Sequence, residues 1–86
     1  MRDLAKISHQ SYENRHLILA SKICGCYYCL KIFSPNEITE WVDPAEDGIG
    51  LTAMCPKCGT DSVVGDKNIE ITGELLKELR NFSFKN

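Results

Sequence analysis

Histidine is missing after position 16, aliphatic residues never run beyond Leu17-Ile18-Leu19-Ala20, and positive charge is not in excess. The 86 residues carry 10 Lys and Arg against 12 Asp and Glu, a net charge of −2. So short an aliphatic run leaves no expected membrane-spanning helix, which needs ~20 apolar residues. The opening Met1-Arg2-Asp3-Leu4-Ala5-Lys6 has mixed charges and no apolar stretch after it, so no secretory signal is expected. The acidic balance counts against a phosphate backbone as partner, because non-specific affinity for nucleic acid depends on clustered Lys and Arg. Here the basic residues of the first third, Arg2, Lys6, Arg15 and Lys22, form only a loose group, and residues 23–66 carry seven acids against two bases.

Cysteine is present in quantity, five in all, and four fall into two Cys-x-x-Cys steps, Cys26-Tyr27-Tyr28-Cys29 and Cys55-Pro56-Lys57-Cys58-Gly59. Two intervening residues let a tight turn place both sulfurs of a step on one side. In a tetrahedron with metal–sulfur bonds near ~2.3 Å they then lie about 3.5 to 4 Å apart. Each step is half a site, so Cys26, Cys29, Cys55 and Cys58 are the expected ligands of one structural Zn2+. Gly59 fits the position after the second step, where a residue without Cβ takes positive φ.

A redox dithiol needs a surrounding βαβ pattern that this chain does not show, and disulfides belong to secreted chains. With no signal expected, the cytoplasm is the expected compartment. Iron in a four-thiolate tetrahedron stays open, because the spacing does not separate the two metals. Cys24, in Ile23-Cys24-Gly25-Cys26, makes the count odd. It could compete with Cys26 as a ligand or act as a reactive thiol, but a small half-buried residue beside the site is the expectation.

Residues 1–86 read as a single domain, too short to bury a comfortable apolar core without a staple, which the metal would provide. Leu4, Ile7, Leu17 and Ile18 predict two short N-terminal helices broken between Ser11 and Asn14, with Asn14 as N-cap of the second. Ser34-Pro35-Asn36-Glu37 has the form of a capping box and predicts a short helix through Trp41. Leu51-Thr52-Ala53-Met54 enters the second step as a strand and Val63-Val64 leaves it, together a short β-hairpin of the kind from which zinc ribbons are built. Ile69-Glu70-Ile71 predicts a further strand. Thr72 then caps a final helix with Leu75, Leu76, Leu79 and Phe82 on one face. The fold class is therefore α+β, a small zinc-ribbon-like domain with helices at both ends.

The segments Ser11-Tyr12-Glu13-Asn14-Arg15, Ile23-Cys24-Gly25-Cys26-Tyr27-Tyr28-Cys29, Ile38-Thr39-Glu40-Trp41-Val42-Asp43 and Thr52-Ala53-Met54-Cys55-Pro56-Lys57-Cys58-Gly59-Thr60-Asp61-Ser62-Val63 together resemble a family of short bacterial proteins with paired Cys-x-x-Cys knuckles. These are generally described only as cytoplasmic proteins. The resemblance implies zinc and a cytoplasmic location, and no biochemical role.

Paired steps also occur in HNH-type nucleases, where an Asp-His pair lies roughly where Trp41-Val42-Asp43 stands here. No histidine follows Asp43, so the base that would activate water is lacking. His9 and His16 precede the first step and read as solvated or capping residues. Four protein thiolates leave no open coordination position, so no enzymatic activity is expected. The preferred expectation is a protein–protein interaction module, with Glu37, Glu40, Asp43, Glu46 and Asp47 as an acidic face. The alternative is a nucleic-acid-binding regulator, or a catalytically inactive relative of the HNH and treble-clef nucleases, in which Tyr27, Tyr28, Phe33 and Trp41 would stack on bases.

Overall fold

Among the described residues short elements alternate with turns, and only the last helix exceeds two turns. The computed structural model describes residues 3–84. Helices α1 (Leu4–His9) and α2 (Arg15–Leu19) come first, then strands β1 (Cys24–Cys26) and β2 (Ile32–Phe33). A single 3-10 turn (Pro35–Glu37) leads to β3 (Trp41–Pro44), β4 (Gly50–Ala53) and β5 (Val63–Gly65), and α3 (Gly73–Ser83) ends the series. The class is α+β, with two small antiparallel sheets ordered β2-β1-β5 and β3-β4. No helix among the described residues is long and apolar enough to cross a membrane.

The three-stranded sheet divides the interior. Side chains alternate across a strand, so in β1 Cys24 and Cys26 face one cluster, with Ile18, Phe33, Ile38, Ala53, Cys55 and Val63. Gly25 faces the other way, where an added Cβ would come within 2.9 Å of both Ile71 and Leu76. Val64, the neighbour of Val63, joins that second cluster with Ile7, Tyr27, Leu75, Leu76 and Leu79. Three leucines of α3 are fully buried there. Thr72 caps the helix by accepting a hydrogen bond from the Leu75 amide at 3.1 Å, while Phe82 on its outer side is exposed.

Three sequence expectations fail for physical reasons. The capping box at Ser34 forms in full, but it closes only one 3-10 turn, because Ile38 leaves it with extended geometry (φ −79°, ψ 121°). Trp41 to Pro44 then pairs with β4, Trp41 opposite Ala53, in place of a helix through Trp41. The strands flanking the second knuckle do not form a hairpin with each other: β4 pairs with β3, whereas β5 pairs with β1, Cys26 opposite Val63. Ile69 and Ile71 form no strand, although both pack on the α3-side cluster.

Asn14 holds the two sheets together. It stands at the start of α2 without making a side-chain cap. Instead, its amide nitrogen donates to the Val63 carbonyl at 2.8 Å, and its amide oxygen accepts from the Ala53 amide at 3.2 Å. Thr52 ties the turn before α2 to the β3-β4 sheet, accepting from the Glu13 amide at 2.8 Å and donating to Asp43 Oδ2 at 2.9 Å. Arg15 donates to the Gly50 carbonyl at 3.0 Å and lies 4.6 Å over the Trp41 ring. Of the loose basic group, Arg15 is thus engaged in packing; Arg2 lies outside the described residues.

Candidate metal centre

Each Cys-x-x-Cys step folds into the same turn. In the first, the Tyr28 amide donates to Cys26 Sγ at 3.4 Å, the Leu30 amide to the Cys26 carbonyl at 2.8 Å, and the Cys26 amide to the Lys31 carbonyl at 3.0 Å. In the second, the Lys57 amide donates to Cys55 Sγ at 3.3 Å, the Gly59 amide to the Cys55 carbonyl at 2.9 Å, and the Cys55 amide to the Thr60 carbonyl at 2.7 Å. The offsets along the chain are identical. Both turns require positive φ after their second cysteine: Gly59 has φ 80°, as its lack of Cβ allows, and Leu30 has φ 66°. An L-residue there costs roughly 1–2 kcal/mol, and Leu30 offsets it by packing on the α3-side cluster.

The two turns face each other and bring the sulfurs of Cys26, Cys29, Cys55 and Cys58 within 4.8 Å of one another. Across the gap, Cys26 lies 3.6 Å from Cys58, and Cys29 lies 3.7 Å from Cys55. Tetrahedral thiolate coordination with bonds near ~2.3 Å has edges of about 3.5 to 4 Å. The donor set therefore fits a tetrahedral ion. Cys26 and Cys55 are buried, Cys29 is half-buried and Cys58 is exposed, so one corner of the centre faces solvent.

The thiols are electrostatically unequal. Burial pushes Cys55 up to about 12, against the amides of Lys57 and Cys58, which favour its thiolate. Burial also raises Cys29. For Cys58, burial opposes ionisation, but the hydroxyl and amide of Thr60 outweigh it, together with Cys26 and Cys55, and hold the thiol at about 7. Thr60 Oγ1 stands 3.2 Å from Cys58 Sγ and 3.5 Å from Cys26 Sγ. Binding a divalent ion here displaces protons, so affinity rises with pH.

Cys24 is fully buried on the same side of the sheet and lies outside the four-sulfur group. Burial, and then the charge of Asp66, push its thiol up to about 12. It packs in the core as a small apolar side chain. His9 and His16 are exposed and stand apart from the four sulfurs. Asp43 is exposed and engaged with Thr52.

Sequence reasoning passed over Thr60, Leu30 and the bridging role of Asn14. A hydroxyl two residues beyond a ligating cysteine was a usable sign for Thr60. Leu30 occupies the place that Gly59 marks in the second step, and aligning the two steps would have exposed it. Lys57 adds one further tie, a 2.9 Å ion pair with Glu37, joining the second knuckle to the 3-10 turn beyond the first. Comparison with protein-family models, curated proteins and solved structures returned no match.

Proposed function

We propose that this chain is a non-catalytic protein–protein interaction module, closed by one structural Zn2+ on Cys26, Cys29, Cys55 and Cys58. The observation that carries the reading is the closed four-sulfur group on two matched turns. Four protein thiolates fill a tetrahedral ion, leaving no position for water or substrate. Such a centre supplies folding energy to a chain too small to stabilise itself by burial alone. The resemblance to short cytoplasmic zinc-knuckle proteins supports zinc as the ion and leaves the module's role open.

Zinc and iron are distinguished by elemental analysis and absorbance. The purified chain is expected to hold one zinc per molecule and to be colourless, and a visible thiolate–iron charge-transfer band would replace zinc with iron. Of the acidic face, Glu37 bonds Lys57 and the Ser34 amide, Asp43 bonds Thr52, and Asp47 bonds the Ile49 amide. Those carboxylates serve local structure as well as charge. The nucleic-acid alternative has its own test: sub-micromolar binding to random duplex or single strands at physiological salt, with a steep salt dependence, would overturn the protein-partner reading.

A further inference from the structure

Beside the first knuckle lies an open groove of about 610 Å³, lined by Tyr28 and Leu30 on one wall and by Lys77, Arg80, Asn81 and Phe84 on the other. The four residues from the α3 side are spaced three, four and seven apart, the spacing of one helix face. Lys77 and Arg80 are exposed and make no ion pair among the described residues. Tyr28 is 44% and Phe84 43% exposed. Two exposed cations, neither in an ion pair among the described residues, thus stand beside three apolar side chains on a chain whose net charge is −2.

We propose that this groove docks a short acidic peptide segment of a partner protein, with a carboxylate at Lys77 and Arg80 and a large apolar side chain against Leu30 and Phe84. The inference rests on reading the chain as an interaction module and does not depend on which metal it holds. Charge complementarity selects the peptide. Two cations match one or two carboxylates, whereas a polyanionic strand gains affinity by covering many phosphates. The rings are not laid out for successive bases. Phe84 meets Tyr28 edge-on at 77° and 5.3 Å, and the Arg80 guanidinium stands 5.8 Å over the Tyr28 ring.

The test begins with a random peptide library displayed on phage and panned on the full zinc-loaded chain. Recovered peptides are then synthesised and titrated by fluorescence anisotropy against the native chain, the double variant Lys77→Glu/Arg80→Glu, and Lys67→Glu, an exposed lysine outside the groove. The expected peptides are acidic and contain a large apolar residue. They should lose about tenfold or more in affinity with the double variant, as removal of an interface arginine anchor commonly does, and keep it with Lys67→Glu. Circular dichroism and zinc content of each variant verify that it is folded and loaded.

Peptides that bind but ignore the double variant would sink the groove while leaving the interaction module standing. Failure to recover any binder would overturn the groove as a peptide site and leave the interaction module, which can also meet a folded surface, standing. A fluorescent oligothymidine strand that binds more tightly than every peptide, with loss in the double variant, would assign the groove to nucleic acid. A dimer in sedimentation velocity that the double variant abolishes would assign it to a second copy of this chain. Either result overturns the peptide.

Discussion

On one face of the β2-β1-β5 sheet lie Ile18, Phe33, Ile38, Ala53, Val63 and three cysteines; on the other lie Ile7, Tyr27, Val64, Leu75, Leu76 and Leu79. The second set holds together by ordinary burial, at about 1.5–3 kcal/mol for each large side chain withdrawn from water. The first draws much of its volume from small residues and thiols, whose burial contributes less. An ion on the four sulfurs, as proposed, would make up the difference. On that reading a short chain divides its stabilisation between a leucine-packed helix on one side of a sheet and a four-cysteine centre on the other. Gly25 and the Val63-Val64 pair mark the boundary within single strands.

The strongest way to break this contrast is to remove the metal. Structural zinc in small domains contributes about 10–16 kcal/mol of apparent binding free energy, comparable to or larger than the whole stability of a typical domain, roughly 5–15 kcal/mol. Chelation, or Cys55→Ser, is therefore expected to abolish cooperative folding of the metal side. Trp41 is the only tryptophan and packs on that cluster, so its emission reports the loss. If helical circular dichroism falls in step with Trp41 emission, the two sides are one cooperative unit; if it lags, α3 and α1 keep a residual core.

Leu76→Ala attacks the opposite side. It should cost about 3 kcal/mol by chemical denaturation, the usual scale for a fully buried leucine, with zinc stoichiometry unchanged. A variant that arrived without metal would erase the distinction between the sides. Asn14→Ala acts across both sheets and leaves the Ala53 amide and the Val63 carbonyl without their partner. The expected cost is about 2 kcal/mol, with faster metal release to a thiol reagent as the sharper readout.

The smallest effect is the onset of a pH dependence, about 1 kcal/mol in the first unit above pH 9.0, measured on the zinc-loaded chain. The Cys24 thiol stands at about 12 against an ordinary 9.0. Above pH 9.0 the unfolded chain releases this proton and the folded chain keeps it. Stability is thus whole below pH 9.0 and falls as pH climbs toward about 12. Cys24→Ala should remove that slope, and denaturation profiles taken on both sides of pH 9.0 measure it.

The features legible in the sequence were those set by near neighbours. The Cys-x-x-Cys turns, Gly59, the Ser34 capping box, the break between α1 and α2, and the Thr72 cap each depend on residues within about one turn of chain, where hydrogen-bond geometry is local. What was not legible depends on distant partners. Ile38, Trp41 and Val42 fit a helical period, yet β-branched residues among them disfavour helix, and pairing with β4 decided the matter. The identity of each strand's partner is a long-range choice, so β4 and β5 could be recognised as strands but not assigned to different sheets. Asn14 looked like a cap because both of its true partners, Ala53 and Val63, lie far along the chain.

The split of β4 and β5 between two sheets bears on how the protein can be dissected. A zinc ribbon's knuckle with its hairpin can be excised and grafted, because its two arms support each other. Residues 50–65 would not survive that operation: each arm leaves its pairing partner behind, on β3 in one case and on β1 in the other. The second knuckle is a splice between two sheets rather than a transplantable cassette, and any minimal fragment that keeps it must also keep β1 and β3.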